Sequence, residues 1–173
     1  MLRPIRIDGD IAHVALTQGY EAIIDSADVV LVDGHNWTAM VKYTSVGEVS
    51  AVYALRNTKK SNGKQARVWM HRLIAGTPSG METDHIDGDG LNNRRGNLRH
   101  ATKAQNTRNR RAAFCCKSGV KGVFWHKASG KWSAQISVDG AQHYLGVYDT
   151  LEAAAEAYAK ASRDLHGDFG RLK

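Results

Sequence analysis

Residues 82–106 read E-T-D-H-I-D-G-D-G-L-N-N-R-R-G-N-L-R-H-A-T-K-A-Q-N, and this run decides the fold. Glu82 to Ile86 has the composition of a short strand. Asp87-Gly88-Asp89-Gly90 is turn chemistry, because glycine takes positive φ freely and aspartate bonds its own backbone two residues on. The irregular N-N-R-R-G-N stretch leads to a second strand over Leu98 to Ala101. Thr102 before Lys103-Ala104-Gln105 has the spacing of a capping box, so a helix is expected to start there with Asn106 in its first turn. A hairpin folded against that helix would gather Asp84, His85 and Asn106 through local connections alone. The 23 residues from Asp84 to Asn106 thus supply a carboxylate, an imidazole and several amides. Short polar constellations of this kind can cut phosphodiester bonds, which takes an activated water on one side of phosphorus and a cation at the leaving oxygen on the other.

Two other readings of the run fail on spacing. A calcium loop with Gly90 at its sixth position would begin at His85 and end at Gly96, where a glutamate is required. A structural zinc site needs paired Cys or His ligands, and the two cysteines of the chain, Cys115 and Cys116, are adjacent.

The run resembles the HNH nucleases, which are built on a ββα-metal hairpin and helix. It is most similar to the homing-endonuclease branch carried by phages and mobile introns, whose pattern reads D-H-I-D-G-(D/N)…N-N…N-L-(R/E)-W-x-T…(E/Q)-N. His71-Arg72-Leu73-Ile74-Ala75 also resembles the H-R-L-hydrophobic-A lead-in of that branch. The resemblance covers about a quarter of the chain. It implies Asp84 as a metal ligand, His85 as the general base and Asn106 as the second metal ligand. It also implies that Asn97 clamps the hairpin loop by backbone hydrogen bonds. His100 stands where the family usually has tryptophan, so a packing contact changes or a polar group is added there. Hard oxygen ligands suit Mg²⁺ or Mn²⁺.

The 173 residues are 42% hydrophobic, enough for one or two small cores. There is no apolar run of membrane-spanning length and no charged-then-apolar leader, so insertion and secretion are not expected. A cytoplasmic protein, encoded by a phage or mobile element and acting in the host cell, fits that reading. The adjacent cysteines build no disulfide framework and read as linker thiols.

The net charge of +7 is unevenly spread. From Leu91 to Lys131 there are 11 Lys or Arg and no acid, leaving 13 bases against 17 acids elsewhere. Arg94, Arg95, Arg99, Arg108, Arg110, Arg111 and Lys117 belong to this stripe, which is expected to meet DNA phosphates. Contacts from six to eight of the eleven bases would give a slope of roughly −5 to −7 in log affinity against log salt.

Four modules are expected in an α+β chain. Residues 1–70 form a β-rich N-terminal module, with strands near Ile5 to Ile7, Ile11 to Leu16, Trp37 to Tyr43 and Val49 to Leu55. Leu16-Thr17-Gln18-Gly19-Tyr20-Glu21-Ala22, Ile24-Asp25 and Trp37 resemble a module that often precedes HNH motifs in phage nucleases. It either contacts the duplex, through Arg3, Arg6, Lys42, Arg56, Lys59 or Lys60, or buttresses the active site. Residues 71–111 are the HNH core, and 112–120 a basic linker. Residues 121–173 read as a three-stranded antiparallel sheet packed on one helix. The strands are Gly122 to Trp125, Lys131 to Val138 and His143 to Tyr148, with turns at Ser129-Gly130 and Asp139-Gly140. Asp149 with Glu152 gives the capping signal for the helix, whose face carries Leu151, Ala154, Ala155, Tyr158, Ala159 and Ser162.

That last module resembles the Apetala / ethylene-response-factor type of DNA-binding domain. The matching residues are Lys121-Gly122-Val123, Gly130-Lys131-Trp132, Leu145-Gly146, Asp149-Thr150, Glu152-Ala153-Ala154 and Ala157-Tyr158. The resemblance implies a sheet inserted in the major groove, contacting DNA through Lys121, Phe124, His126, Gln135, Ser137, Gln142 and Tyr144. Several positions that are arginine in the plant domains are neutral here. The sequence therefore reads as a site-specific DNA endonuclease of the HNH homing type, acting on double-stranded DNA. One copy of the motif favours a monomer that nicks one strand. The rivals are a non-cleaving, sequence-specific DNA-binding regulator and, more distantly, an RNA-directed nuclease.

Overall fold

In the computed structural model, residues 1–59, 63–109 and 118–170 are described. Lys60, Arg110, Arg111, Cys115, Cys116 and Lys117, on which part of the basic stripe and the linker reading rest, lie outside the described residues. The chain divides into two compact units, Met1–Thr102 and Lys103–Lys173.

In the first unit, β1 (Ile5–Asp8), β2 (Ile11–Ala15) and β3 (Glu21–Asp25) form an antiparallel meander in that order. Ala12 and Val14 point into the core while their neighbours are half-buried, the two-residue period of a sheet with one covered face. A short helix, α1 (Val29–Val32), follows. A second antiparallel sheet has the order β4 (Thr38–Tyr43), β5 (Val49–Asn57), β6 (Arg67–Trp69). One hydrophobic core joins these elements: Ala12, Val14, Ile24, Val32, Trp37, Ala39 and Ala54 share it with Met70 and Ile74 of the next helix.

That helix, α2 (Met70–Ala75), is the H-R-L-I-A lead-in. Gly76 ends it in the left-handed conformation, φ 60°, where the amides of Gly76 and Thr77 satisfy the carbonyls of Leu73 and Arg72. The Arg72 guanidinium donates to the carbonyls of Met81 (2.7 Å) and Pro78 (3.2 Å). The connection from α2 to the hairpin is thereby pinned. The hairpin pairs β7 (Glu82–His85) with β8 (Leu98–Ala101), with Asp84 opposite Arg99 and Thr83 opposite His100.

The second unit begins with the short helix α3 (Lys103–Arg108), which carries Asn106. Its sheet has the order β11 (Ala141–Tyr148), β10 (Lys131–Val138), β9 (Val123–His126), and α4 (Leu151–His166) packs on one face. Asp139 and Gly140 both have positive φ, as a two-residue hairpin turn requires. Val123, Ala134 and Ile136 meet Ala154 and Tyr158 in a small core. The capping residue of α4 is Thr150, whose hydroxyl accepts from the Ala153 amide at 3.2 Å. The expected cap, Asp149, instead takes an ion pair from Lys131 at 2.8 Å. A carboxylate next to a strand lysine is drawn to it, and the hydroxyl one residue later has equal reach to the helix amides. The α+β class and the C-terminal sheet on one helix are as the sequence predicts.

Candidate nuclease site and DNA-binding sheet

Asp84 and His85 end β7, and both are buried, at 3% and 6% exposure. The His85 ring sits in a box of aromatic groups. Its centroid is 5.1 Å from that of His71 on α2 and 5.9 Å from that of Tyr53 on β5. Trp69 closes the box behind His71, at 5.6 Å. On its polar side, His85 Nε2 lies 3.4 Å from Asn93 Oδ1. Asn93 is fully buried, and its Nδ2 donates to the Leu91 carbonyl at 3.0 Å. That bond turns the amide oxygen toward His85. Nε2 therefore carries the proton, and the lone pair resides on Nδ1.

Burial pushes the His85 imidazolium below its ordinary pKa, against an opposing pull from Asn93 and from Asp87, Asp84 and Asp89. His71 is driven further, to about 3, by burial first and then by His85, Arg72 and Lys42. Both rings are neutral at physiological pH, the form a general base needs.

The loop after His85 is held by side chains folding onto backbone. Asn97 Oδ1 accepts from the Asp87 amide at 3.0 Å, and Asn97 Nδ2 donates to Asp87 Oδ1 and the Asn92 carbonyl at 2.9 and 2.8 Å. The Ile86 amide donates to the Asn97 carbonyl at 2.9 Å. Asp87 and Asp89 each accept from an amide two residues on. Burial alone would raise the Asp87 carboxyl. The bonds from the Asp89 amide, Asn92 and Asn97 more than reverse that and hold it below the usual carboxylate range.

The N-terminal sheet buttresses this loop. The Ile23 amide donates to the Leu91 carbonyl, and the Asn93 amide to the Ile23 carbonyl, at 2.9 and 2.7 Å. Arg94 donates to Asp25 and Asp10, and Arg95 clasps both oxygens of Asp28. Arg99 pairs with Asp84 at 2.7 Å. Three of the bases expected to meet phosphates are thus matched to carboxylates within the unit. Four of the bases named in the N-terminal module are engaged as well: Arg3 with the Trp37 carbonyl, Arg6 with Glu21, Lys42 over the Tyr53 ring and Arg56 over the Trp37 ring, while Lys59 is exposed beyond the end of β5. His100 donates through Nε2 to the Ala75 carbonyl at 2.9 Å, so the residue that replaces tryptophan caps the end of α2.

The second unit holds the remaining site candidates. Arg108 pairs with Asp139 at 2.7 Å, and Lys121 donates to the Arg108 carbonyl at 2.7 Å. A lysine on the last carbonyls of a helix is a favourable C-terminal partner. His126 contacts Ser129 through Nδ1 at 2.8 Å. Phe124, Gln135, Ser137, Gln142 and Tyr144 share one side of the sheet, by the strand register and the alternation along β10. Val147 stands in the same array and was not among the residues expected from sequence; its partner Ser133 on β10 places it there. Asn93 and His71 also escape sequence reading as site residues, although the N-N doublet and the H-R-L lead-in contain them.

Among the described residues, no cluster of three or more His, Cys, Asp or Glu can hold a metal by itself. A cation at Asp84 would therefore take most of its ligands from phosphate and water, as Mg²⁺ commonly does. A buried carboxylate is a hard donor that fits such an ion. No helix among the described residues is long and apolar enough to cross a membrane.

The family model described as HNH endonuclease matches residues 66–108, and the one described as AP2 domain matches 118–167. Protein 3.8 of Escherichia phage T7 is 38% identical over 96 residues, covering 56% of this chain and 78% of that protein. An uncharacterized HNH endonuclease of Acanthamoeba polyphaga mimivirus is 34% identical over 109 residues, covering 60% and 56% of the two chains. An AP2-like ethylene-responsive transcription factor of Arabidopsis thaliana is 37% identical over 60 residues, 35% of this chain and 12% of the plant protein. No solved structure matches the chain. Both domains indicate DNA as the partner, and the first indicates nuclease activity. The chain belongs to the family of phage T7 Protein 3.8 and joins an HNH endonuclease domain to an AP2 domain.

Proposed function

We propose that the chain is a site-specific endonuclease of the homing type that nicks double-stranded DNA as a monomer in the presence of Mg²⁺ or Mn²⁺. The observation that carries this reading is the His85 ring. It is buried, neutral and walled by Tyr53 and His71, with Nε2 turned to Asn93 and Nδ1 left as the basic nitrogen. Nδ1 takes a proton from water as that water attacks phosphorus; the P–O3′ bond breaks, the leaving 3′ oxygen takes a proton from solvent water, and the imidazolium returns its proton to solvent. The depressed pKa of His85 favours that return. Asn97 keeps the loop fixed, so the base does not have to be ordered during the reaction.

Asp84 would hold the divalent ion, with Asn106 as its second protein ligand on the strength of the family resemblance. When bound, the ion would supply positive charge to the leaving 3′ oxygen. Arg99 sets the orientation of the Asp84 carboxylate through the pair at 2.7 Å. The AP2 domain supplies site preference, and the bases of the linker region supply phosphate contacts.

The test is nicking of supercoiled plasmid with Mg²⁺ or Mn²⁺ against chelator, with His85→Ala alongside. Nicking that needs the metal and falls at least ~10²-fold in His85→Ala, with duplex affinity kept, is the expected result. Duplex binding with no nicking under any divalent ion would instead identify a non-cleaving regulator.

A further inference from the structure

The sheet of the second unit has one face under α4 and a second face that α4 does not cover. Register fixes which side chains share the second face. Ser133 pairs with Phe124 on one side and Val147 on the other, so these three form one row across the strands. Gln135 with Tyr144, and Ser137 with Gln142, form the next two rows. The irregularity after Ala134 sets Tyr144, not Leu145, opposite Gln135. Ser133 is buried between its neighbours, whereas Phe124, Val147 and Tyr144 are 40%, 42% and 67% exposed.

The chemistry of this face is unusual for a surface that meets DNA. The three strands contain no arginine, and these rows contain no acid. One row further out on this face Lys131 pairs with His126, and the Lys131 ammonium is engaged by Asp149; Lys121 donates to the end of α3. The guanidinium that most often reads guanine is therefore missing from the strands. Between the His126–Lys131 row and the Ser137–Gln142 row lie a pair of apolar side chains flanking a small hydroxyl, and then an amide and a phenol. In the major groove only thymine presents a methyl group, and adenine presents the N6–H donor and N7 acceptor that a glutamine amide matches with two bonds.

We infer that this face reads A·T base pairs: Phe124 and Val147 pack against thymine methyls, and Gln135 bonds adenine. Val147 is thus a specificity-determining residue. The inference rests on the reading of the AP2 domain as the duplex-binding module and adds the base composition of its site.

The test uses the full chain in EDTA, so that binding is seen without cutting. A bound sequence is first selected from a random duplex library. Its thymines are then replaced one at a time by deoxyuridine, which removes the methyl and leaves base pairing intact. The selected site is expected to contain adjacent A·T pairs, and at two or more of them loss of the methyl should weaken binding about fourfold. Phe124→Ala and Val147→Ala should each bind thymine and uracil duplexes alike at one such position. Because the key substitution is made in the DNA, a folding defect in a variant cannot produce the methyl effect. A G·C-rich site, or a methyl effect that survives in both variants, overturns the inference and leaves duplex binding standing. Absence of binding to any duplex overturns the duplex-binding reading as well.

Discussion

The proposed function turns on His85, and its neighbours account for its neutral ring. Asn93 fixes which nitrogen carries the proton, and His71 and Tyr53 fix the ring plane. His71 makes this arrangement sensitive to acid. Its folded pKa is about 3, because of burial first and then the unfavourable fields of His85, Arg72 and Lys42, whereas an exposed histidine titrates near its ordinary value of 6.5. Between those values the unfolded chain binds a proton that the folded chain refuses. Stability contributed by neutral His71 is complete above the unfolded pKa and is lost as pH falls, by up to about 1.4 kcal/mol per pH unit. His71→Phe keeps an aromatic edge against His85 and removes this titration. Denaturant midpoints at pH 7 and pH 5 should fall further apart in the wild type than in His71→Phe. Equal losses in both would show that His71 does not carry the effect.

At the scale of elements, the hairpin loop is the part that links the site to the core. Gly90 lies where a Cβ would meet the Val52 carbonyl and the Tyr53 ring, with ring carbons 2.6 and 2.7 Å away. Tyr53 in turn packs on His85 and His71. Gly90→Ala is expected to cost about 1–3 kcal/mol in stability through overpacking. It should also lower single-turnover cleavage more than duplex affinity, because the displaced ring is the one that walls His85, the proposed base. A variant destabilised to that degree but with wild-type cleavage would uncouple Tyr53 from the site. Much of this element was legible in advance. The two strands and the turn are visible because Asp-Gly pairs and short β-rich runs carry local signals, and the Asn97 clamp follows from the family pattern. Asn93 was not legible, since an N-N doublet reads as turn chemistry and its burial depends on β3, some 70 residues away in sequence. Helix α2 was visible only as a motif, because six residues are too few to show a period. The helix cap shifted by one residue because Asp149 and Thr150 have equivalent local spacing, and a partner on β10 decided between them.

For the whole molecule, charge and anchoring lead to predictions that differ from those of the sequence alone. The window from Leu91 to Lys131 is free of acids along the chain but not in space. Asp10, Asp25 and Asp28 fold onto Arg94 and Arg95, Asp84 onto Arg99, and Asp139 onto Arg108. Burial would raise the Asp25 carboxyl, yet its bonds from Arg94 and the Arg95 amide hold it below the usual range, so that pair is formed and charged. Fewer bases are left to release counterions, and the slope of log affinity against log salt is expected near −3 to −5, not −5 to −7. A slope of −6 or steeper would mean that the arginines leave their acids on binding. The anchoring of α3 leads to the second difference. Sequence alone assigns cutting to the chain up to Lys117 and site preference to the remainder, so a truncation there should still cut. In the structure α3, which carries Asn106, belongs to the second unit, where Arg108 pairs with Asp139 and Lys121 bonds the carbonyls of Thr107 and Arg108. A six-residue helix is not stable by itself in water, and these partners help to order it. A chain ending at Lys117 keeps Asp84, His85, Asn93 and Asn97 but loses every one of those partners. It should retain the folded first unit by circular dichroism and lose metal-dependent nicking. Arg108→Ala with Lys121→Ala in the full chain should lower nicking in the same direction while sparing the sheet. If the truncated chain is folded and nicks plasmid at the full-length rate, α3 is ordered without the second unit, and the division of labour read from sequence is the correct one.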